Sequence, residues 1–260
     1  MGYGDECMAS GLARRVLPGK RAAFGDGHRI IWGPWCEEIF KGNPNIARPG
    51  DEGATDLEWI PFYKGNRGYH LGITPTNWIF NMKFRPIAGQ IFLDKHEREN
   101  AKAAGGEFVL IEPNTPAHKS MAVNKQWPRE RFQRVADAMQ AYGHRVVQLV
   151  YPQIQFTLND VDHFRTDNFR QALAVLERAA LFIGGEGGMH HGAAALGIPA
   201  VVLFGGYTPI ELTGYPPLHV NLAGNSLAAC GSLYRCEHCI KAMESIMATE
   251  VIHHALRLLR

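Results

Sequence analysis

Residues Gly184 to Gly206 read GGEGGMHHGAAALGIPAVVLFGG. Four glycines, an acid and two adjacent histidines are packed into the first eight positions, followed by an alanine-rich run and an apolar segment. Working outward, ALFIGG (Ala180–Gly185) is a short apolar run of strand length, GMHHGAAALG a short helix and PAVVLFGG a second strand. The glycines allow a tight strand-to-helix turn. The start of the helix offers free backbone N–H groups and the positive end of its dipole, which suits a diphosphate. A turn that binds nothing is the plain structural alternative.

The same alternation runs through the second half of the chain. EFVLIEPN (Glu107–Asn114) predicts a buried strand. WPRERFQRVADAMQAYG predicts a helix, with Phe132, Val135, Ala136 and Met139 on one face, Pro128 in the first turn and Gly143 at the stop. HRVVQLV predicts a strand and NFRQALAVLERA a helix, while Ile240–Arg260 reads as one closing helix. Strands and helices in this order predict a doubly wound α/β parallel sheet, with ligands beyond the carboxyl ends of its strands. Before residue 100 turn formers are dense. There RIIWG and QIFLD read as strands, and DECMASGLARRV as a helix with Met8, Leu12 and Val16 on one face. GYGDE resembles a turn between a strand and a helix although only Met1 precedes it, so a first strand is expected to be missing or supplied in another way.

Composition narrows the classes. The chain has 260 residues, 46% hydrophobic, with a formal net charge of +2. Such near-balance gives no electrostatic argument for nucleic acid or an anionic membrane as main partner. No apolar run is long enough to span a bilayer and no signal-peptide pattern opens the chain. Five cysteines in a chain of this size point to a reduced, cytoplasmic protein. Cys230, Cys236, His238 and Cys239 could hold a structural zinc, although the spacing lacks a clean second pair; a loop of reduced thiols is the alternative. Thr115 and Lys125, with Asn114 assisting, follow the first strand of the second half, where a hydroxyl and an ammonium suit phosphate. Lys119 competes with Lys125 in that loop. Thr208 and Pro209 follow the last strand, where a contact with nucleotide or sugar competes with a plain turn.

Four segments together resemble glycosyltransferase family nine, the heptosyltransferase-like enzymes of GT-B architecture. They are GYGDECMASGLAR, PNTPAHKSMAVNKQWPRERFQRVADAM, the stretch from Leu176 to Tyr215, and CEHCIKAMESI. The likeness is dense over about residues 107 to 250 and thin over 17 to 100. It implies two Rossmann-like domains facing across a cleft. Residues 1–100 would be a reduced acceptor side, 101–239 the donor side and 240–260 the closing helix. It further implies inverting, metal-independent transfer from a nucleotide-diphosphate sugar, best known as ADP-heptose, to a glycan or other hydroxyl acceptor. No other cofactor is expected. Asp5 takes the place of the general base; a helix N-cap is its structural alternative. Glu186, Gly187, Gly188, Met189 and His190 meet the donor diphosphate, with His190 stabilising the leaving group and His191 packed inside. The family more often has aspartate at Glu186 and an apolar residue at His191. Two other readings stay open: an epimerase or hydrolase of this fold, and a binding protein without turnover. A polymeric or nucleic-acid acceptor also stays open.

Overall fold

A computed structural model describes residues 2–115, 120–226 and 228–260. Lys119 lies outside them. The second half is built as its apolar periodicity dictates. Strands β7 (Val109–Glu112), β8 (Val146–Val150), β9 (Asp162–Arg165), β10 (Leu181–Gly185), β11 (Ala200–Leu203) and β12 (His219–Leu222) form one parallel sheet in the order β12-β11-β10-β7-β8-β9. Helices α4 (Arg129–Ala141), α5 (Phe169–Leu176) and α6 (Gly188–Leu196) cross between strands. Pro128 is the N-cap of α4, and Gly143 ends that segment at φ 86°, a conformation glycine adopts without strain.

Alternate residues of the central strands feed two cores. Val109, Ile111, Leu181, Ile183, Val201 and Leu203 pack with Phe132, Val135 and Met139 of α4. Leu110, Phe182, Ala200 and Val202 join Leu173 and Leu176 of α5 and residues of the first hundred, including Cys7, Met8, Phe24 and Phe40. The first hundred residues thus share a core with one face of the sheet.

Those residues begin with α1 (Tyr3–Leu12), followed by β1 (Arg21–Phe24), α2 (Cys36–Phe40) and β2 (Leu57–Ile60). Strands β1 and β2 pair in parallel. Short antiparallel pairs follow, β3 (Phe62–Tyr63) with β4 (Asn66–Arg67) and β5 (His70–Ile73) with β6 (Trp78–Phe80), and then α3 (Lys95–Ala101). The chain is α/β with a parallel sheet, and among the described residues its first part carries a two-stranded parallel sheet beside the short antiparallel pairs.

Three local expectations are corrected. QIFLD makes no strand because its carbonyls are taken by arginines: Arg170 donates to Phe92 O at 2.6 Å and Arg98 to Leu93 O at 2.8 Å. RIIWG folds back on β1 through a single bridge, Gly25 to Ile30. The closing helix is two helices, α8 (Glu237–Ser245) and α9 (Ala248–Leu258), broken at Ile246 and Met247. A one-turn helix, α7 (Ile210–Thr213), follows Pro209. Among the described residues no helix is long and apolar enough to cross a membrane.

Candidate functional site

Helix α1 lies directly on α6. The contact is close because residue 4 has no side chain: a Cβ there would sit 2.5 Å from Cδ2 of His191. This brings Asp5, in the first turn of α1, towards the glycine loop that ends β10. Both carboxylates, Asp5 and Glu186, bear on the Tyr69 phenol, whose pKa is pushed well up by burial first and then by those charges.

Asp5 is engaged from two sides. The amide of Gly2, the N-cap, donates to its Oδ2 at 2.9 Å, so the acid at N3 satisfies the N-cap amide, and the Tyr69 hydroxyl donates to its Oδ1. Arg67 approaches both Asp5, at 3.7 Å, and Glu6, at 3.6 Å. Both terminal nitrogens of this buried guanidinium lack a hydrogen-bond partner. Arg67 and Tyr69 come from the turn-rich KGNRGYHLG, where glycine density hid them in the sequence.

At the other side Lys125 donates to Glu186 Oε2 across 61 positions of sequence. Its ammonium also lies 4.7 Å from the centre of the Tyr207 ring. Burial alone would raise the Glu186 carboxyl, but Lys125 and then His191 hold it well below the usual carboxylate range. His191 Nε2 is 3.5 Å from Glu186 Oε1, and its Nδ1 is 2.7 Å from the Tyr215 hydroxyl.

The two histidines divide otherwise than expected. His190 is fully buried among Phe204, Tyr215, His191 and His219, with neither ring nitrogen hydrogen-bonded. Burial, then its imidazole neighbours, push it well below its ordinary pKa, so it stays neutral. His191, expected to be mere packing, is the imidazole at the acid. Successive helix residues point about 100° apart, so one of such a pair must turn from any given ligand.

The other candidates scatter. Asn114 has its amide taken up within the protein: Nδ2 donates to Phe156 O at 3.1 Å, and Oδ1 accepts from the amides of Gln155 and Phe156. Thr115 Oγ1 donates to Gln126 at 2.8 Å. Thr208 is buried. At Gly188 the missing side chain makes room for the protein itself, since a Cβ would meet Tyr3 at 3.2 Å and Phe169 at 3.3 Å. At Gly187 a Cβ would meet open space. The amides of Gly187, Gly188, Met189 and His190 precede the first bond of α6, from His191 N to Gly187 O. Met189 itself packs on the core.

Among the described residues two side-chain groups have metal-ligand spacing, Glu186–His190–His191 and Cys230–Cys236–His238–Cys239. In the first, Lys125 already supplies the cation beside the acid. A hollow of about 640 Å³, lined by residues including Gly106, Glu107, Arg178 and Leu259, lies at the amino ends of β7 and β10, opposite the glycine loop.

Residues 76–246 match the sequence model of glycosyltransferase family 9 (heptosyltransferase), well over half of the chain. No curated protein matches. The fold resembles that of a family 9 glycosyl transferase from Veillonella parvula, at 18% identity and a TM-score of 0.51, covering 66% of this chain and 54% of that one. It also resembles the iron-containing dodecameric glycosyltransferase TibC from enterotoxigenic E. coli, at 16% identity and a TM-score of 0.54, covering 88% of this chain and 67% of that one. The chain therefore spans about half the length of the first of these structures. With its parallel sheet and its match over residues 76–246, the chain belongs to glycosyltransferase family 9.

Proposed function

We propose that the chain is an inverting glycosyltransferase, moving a sugar from a nucleoside-diphosphate sugar to an acceptor hydroxyl without a catalytic metal. Family membership supports the reaction class. The observation that carries the rest is the Lys125–Glu186 pair at the start of α6, directly under the helix that bears Asp5. In this proposal residues 1–100 are the acceptor side, residues 101–239 the donor side, and residues 240–260 close the fold. The five free cysteines suit a reducing, cytoplasmic setting.

The donor diphosphate docks on the free amides of Gly187 to His190, at the positive end of α6. Lys125 leaves Glu186 and takes up phosphate charge. A carboxylate repels a diphosphate but accepts from a sugar hydroxyl, so Glu186 serves the sugar and keeps His191 beside it. Asp5 releases the Tyr69 hydroxyl and takes the proton of the acceptor hydroxyl. The acceptor oxygen attacks the anomeric carbon from the face opposite the departing diphosphate, which inverts that centre. Charge growing on the leaving group is met by fixed amides and Lys125. His190 acts through packing in this scheme, not through contact.

Asp5→Asn tests it, because asparagine keeps an oxygen for Gly2 and Tyr69. With an ADP-linked heptose as the first donor tried, transfer should fall by about 10²–10⁴-fold while donor affinity stays within about twofold. Unchanged transfer would remove Asp5 from the chemistry. A wild-type chain that binds donor and never turns it over would favour the binding-protein reading, which the engaged state of both Asp5 oxygens also suits.

A further inference from the structure

We propose that Cys230, Cys236, His238 and Cys239 form a closed site for one structural zinc ion per chain. One potential ligand atom from each residue lies within 4.8 Å of the others. Cys230 Sγ is 3.7 Å from Cys236 Sγ and 3.1 Å from Cys239 Sγ. Zinc–thiolate bonds of about 2.3 Å in a tetrahedron separate sulfurs by about 3.8 Å. The first separation matches an edge of that tetrahedron, the second is about 0.7 Å shorter, and both exceed the ~2.05 Å of a disulfide by about 1 Å or more. Three thiols and an imidazole are the donor set of a structural zinc centre, with no position left open for a substrate.

Local structure explains how a C-x5-C-x-H-C pattern converges. Cys236 is the N-cap of α8 and Cys239 its N3 residue, so they share a face, with His238 between them. Cys230 is returned to them by a turn at Gly231, whose φ of 62° favours glycine. Coordination through His238 Nδ1 leaves Nε2, 3.4 Å from Ser226 Oγ, with a hydroxyl partner of the kind that orients metal-bound imidazoles.

The segment sits where three parts of the chain meet. The amide of Cys230 donates to Gly206 O at 2.9 Å, and that of Gly231 to Tyr207 O at 3.0 Å. Trp78 of β6 donates to Gly231 O at 2.9 Å, and Asn77 Nδ2 to Cys230 O at 2.7 Å. Asn124, the neighbour of Lys125, accepts from Cys236 N at 2.8 Å and donates to Tyr234 O at 2.7 Å. A metal here clamps the hairpin of β5 and β6, the loop after β11 and the turn that carries Lys125. Binding exchanges three thiol protons for one zinc ion, so it strengthens as pH rises.

The experiment is elemental analysis of the untagged full chain, purified under reducing conditions without added metal. About one zinc per chain, surviving desalting, is expected. Cys236→Ser and His238→Ala should each lower that ratio by about fivefold or more. Stripping the wild type with a strong chelator under reducing conditions should lower its melting temperature, and equimolar zinc should restore it. Cys236→Ser should not respond to chelator. A wild-type chain that carries less than about a tenth of a zinc and takes up none from equimolar zinc overturns the site. Iron at the one-to-one ratio overturns the zinc assignment. Because the readout is metal content and melting, the test stands apart from whether the chain transfers sugar.

Discussion

Replacing Lys125 by methionine leaves the buried Glu186 carboxylate without its ammonium. The Glu186 side chain is 7% exposed and that of Lys125 19%. Removing one partner of a buried pair costs about 3–5 kcal/mol, because the other charge is stranded, whereas replacing both partners is often nearly neutral. His191, 3.5 Å from the acid, remains as a second partner and draws the expected cost of Lys125→Met to about 3 kcal/mol. Glu186→Gln is milder, about 1–2 kcal/mol, since the lysine reaches solvent. The double variant should be no worse than Glu186→Gln alone, a coupling of about 3 kcal/mol or more in magnitude. Urea unfolding at neutral pH of the four proteins reads the cycle. The pH dependence gives a second arm. In the wild type the Glu186 pKa is depressed, so its contribution is present above the ordinary carboxylate range and is lost as pH falls through and below it. In Lys125→Met burial dominates and the pKa rises, so stability should instead climb as pH falls towards about 5. Single-variant costs that sum to the double-variant cost within about 0.5 kcal/mol would refute the pairing.

Glu112 at the end of β7 behaves oppositely. Burial, offset by hydrogen bonds from Asn114, raises its carboxyl to about 7, so the folded state holds its proton where the unfolded state has lost it. Its stabilising effect is full below the ordinary value and is lost as pH rises to about 7. Relative to Glu112→Gln, the wild type should lose on the order of 3 kcal/mol across that window, measured by urea titrations at several pH values. Gly4→Ala should destabilise by about 1–3 kcal/mol despite the better helix propensity of alanine, because His191 is pinned by Tyr215 and Glu186. A neutral or stabilising result in thermal melts would show that α1 is free to lift from α6.

The second half of the fold was legible because strands buried on both faces read as apolar runs, as in FVLIE and ALFIGG. The edge strands Asp162–Arg165 and His219–Leu222 were missed because each is covered on one side only, and polar residues interrupt them. In the first half, strand character depended on backbone partners that local sequence does not reveal. Arg170 and Arg98 satisfy QIFLD from outside, while Leu57–Ile60, half-buried throughout, pairs with Arg21–Phe24. At the site, phosphate-binding chemistry at a strand end pointed to Lys125 and the family resemblance to Glu186, from two separate segments, and the fold brings them together. Neither ground decides which of two adjacent histidines faces the acid. Nor does either show Arg67 and Tyr69, since they reach Asp5 from the end of one short strand and the bend after it, a segment without apolar periodicity.

In the proposed reaction the glycine loop and Lys125 together hold a nucleoside diphosphate. Titration calorimetry of the wild type and of Lys125→Met/Glu186→Gln, the variant expected to stay well folded, with a panel of nucleoside diphosphates tests it most directly. One of them should bind the wild type and bind the double variant at least about tenfold more weakly, a loss of about 1.4 kcal/mol or more. Binding of equal strength to both proteins, or of no nucleoside diphosphate to the wild type, would contradict it.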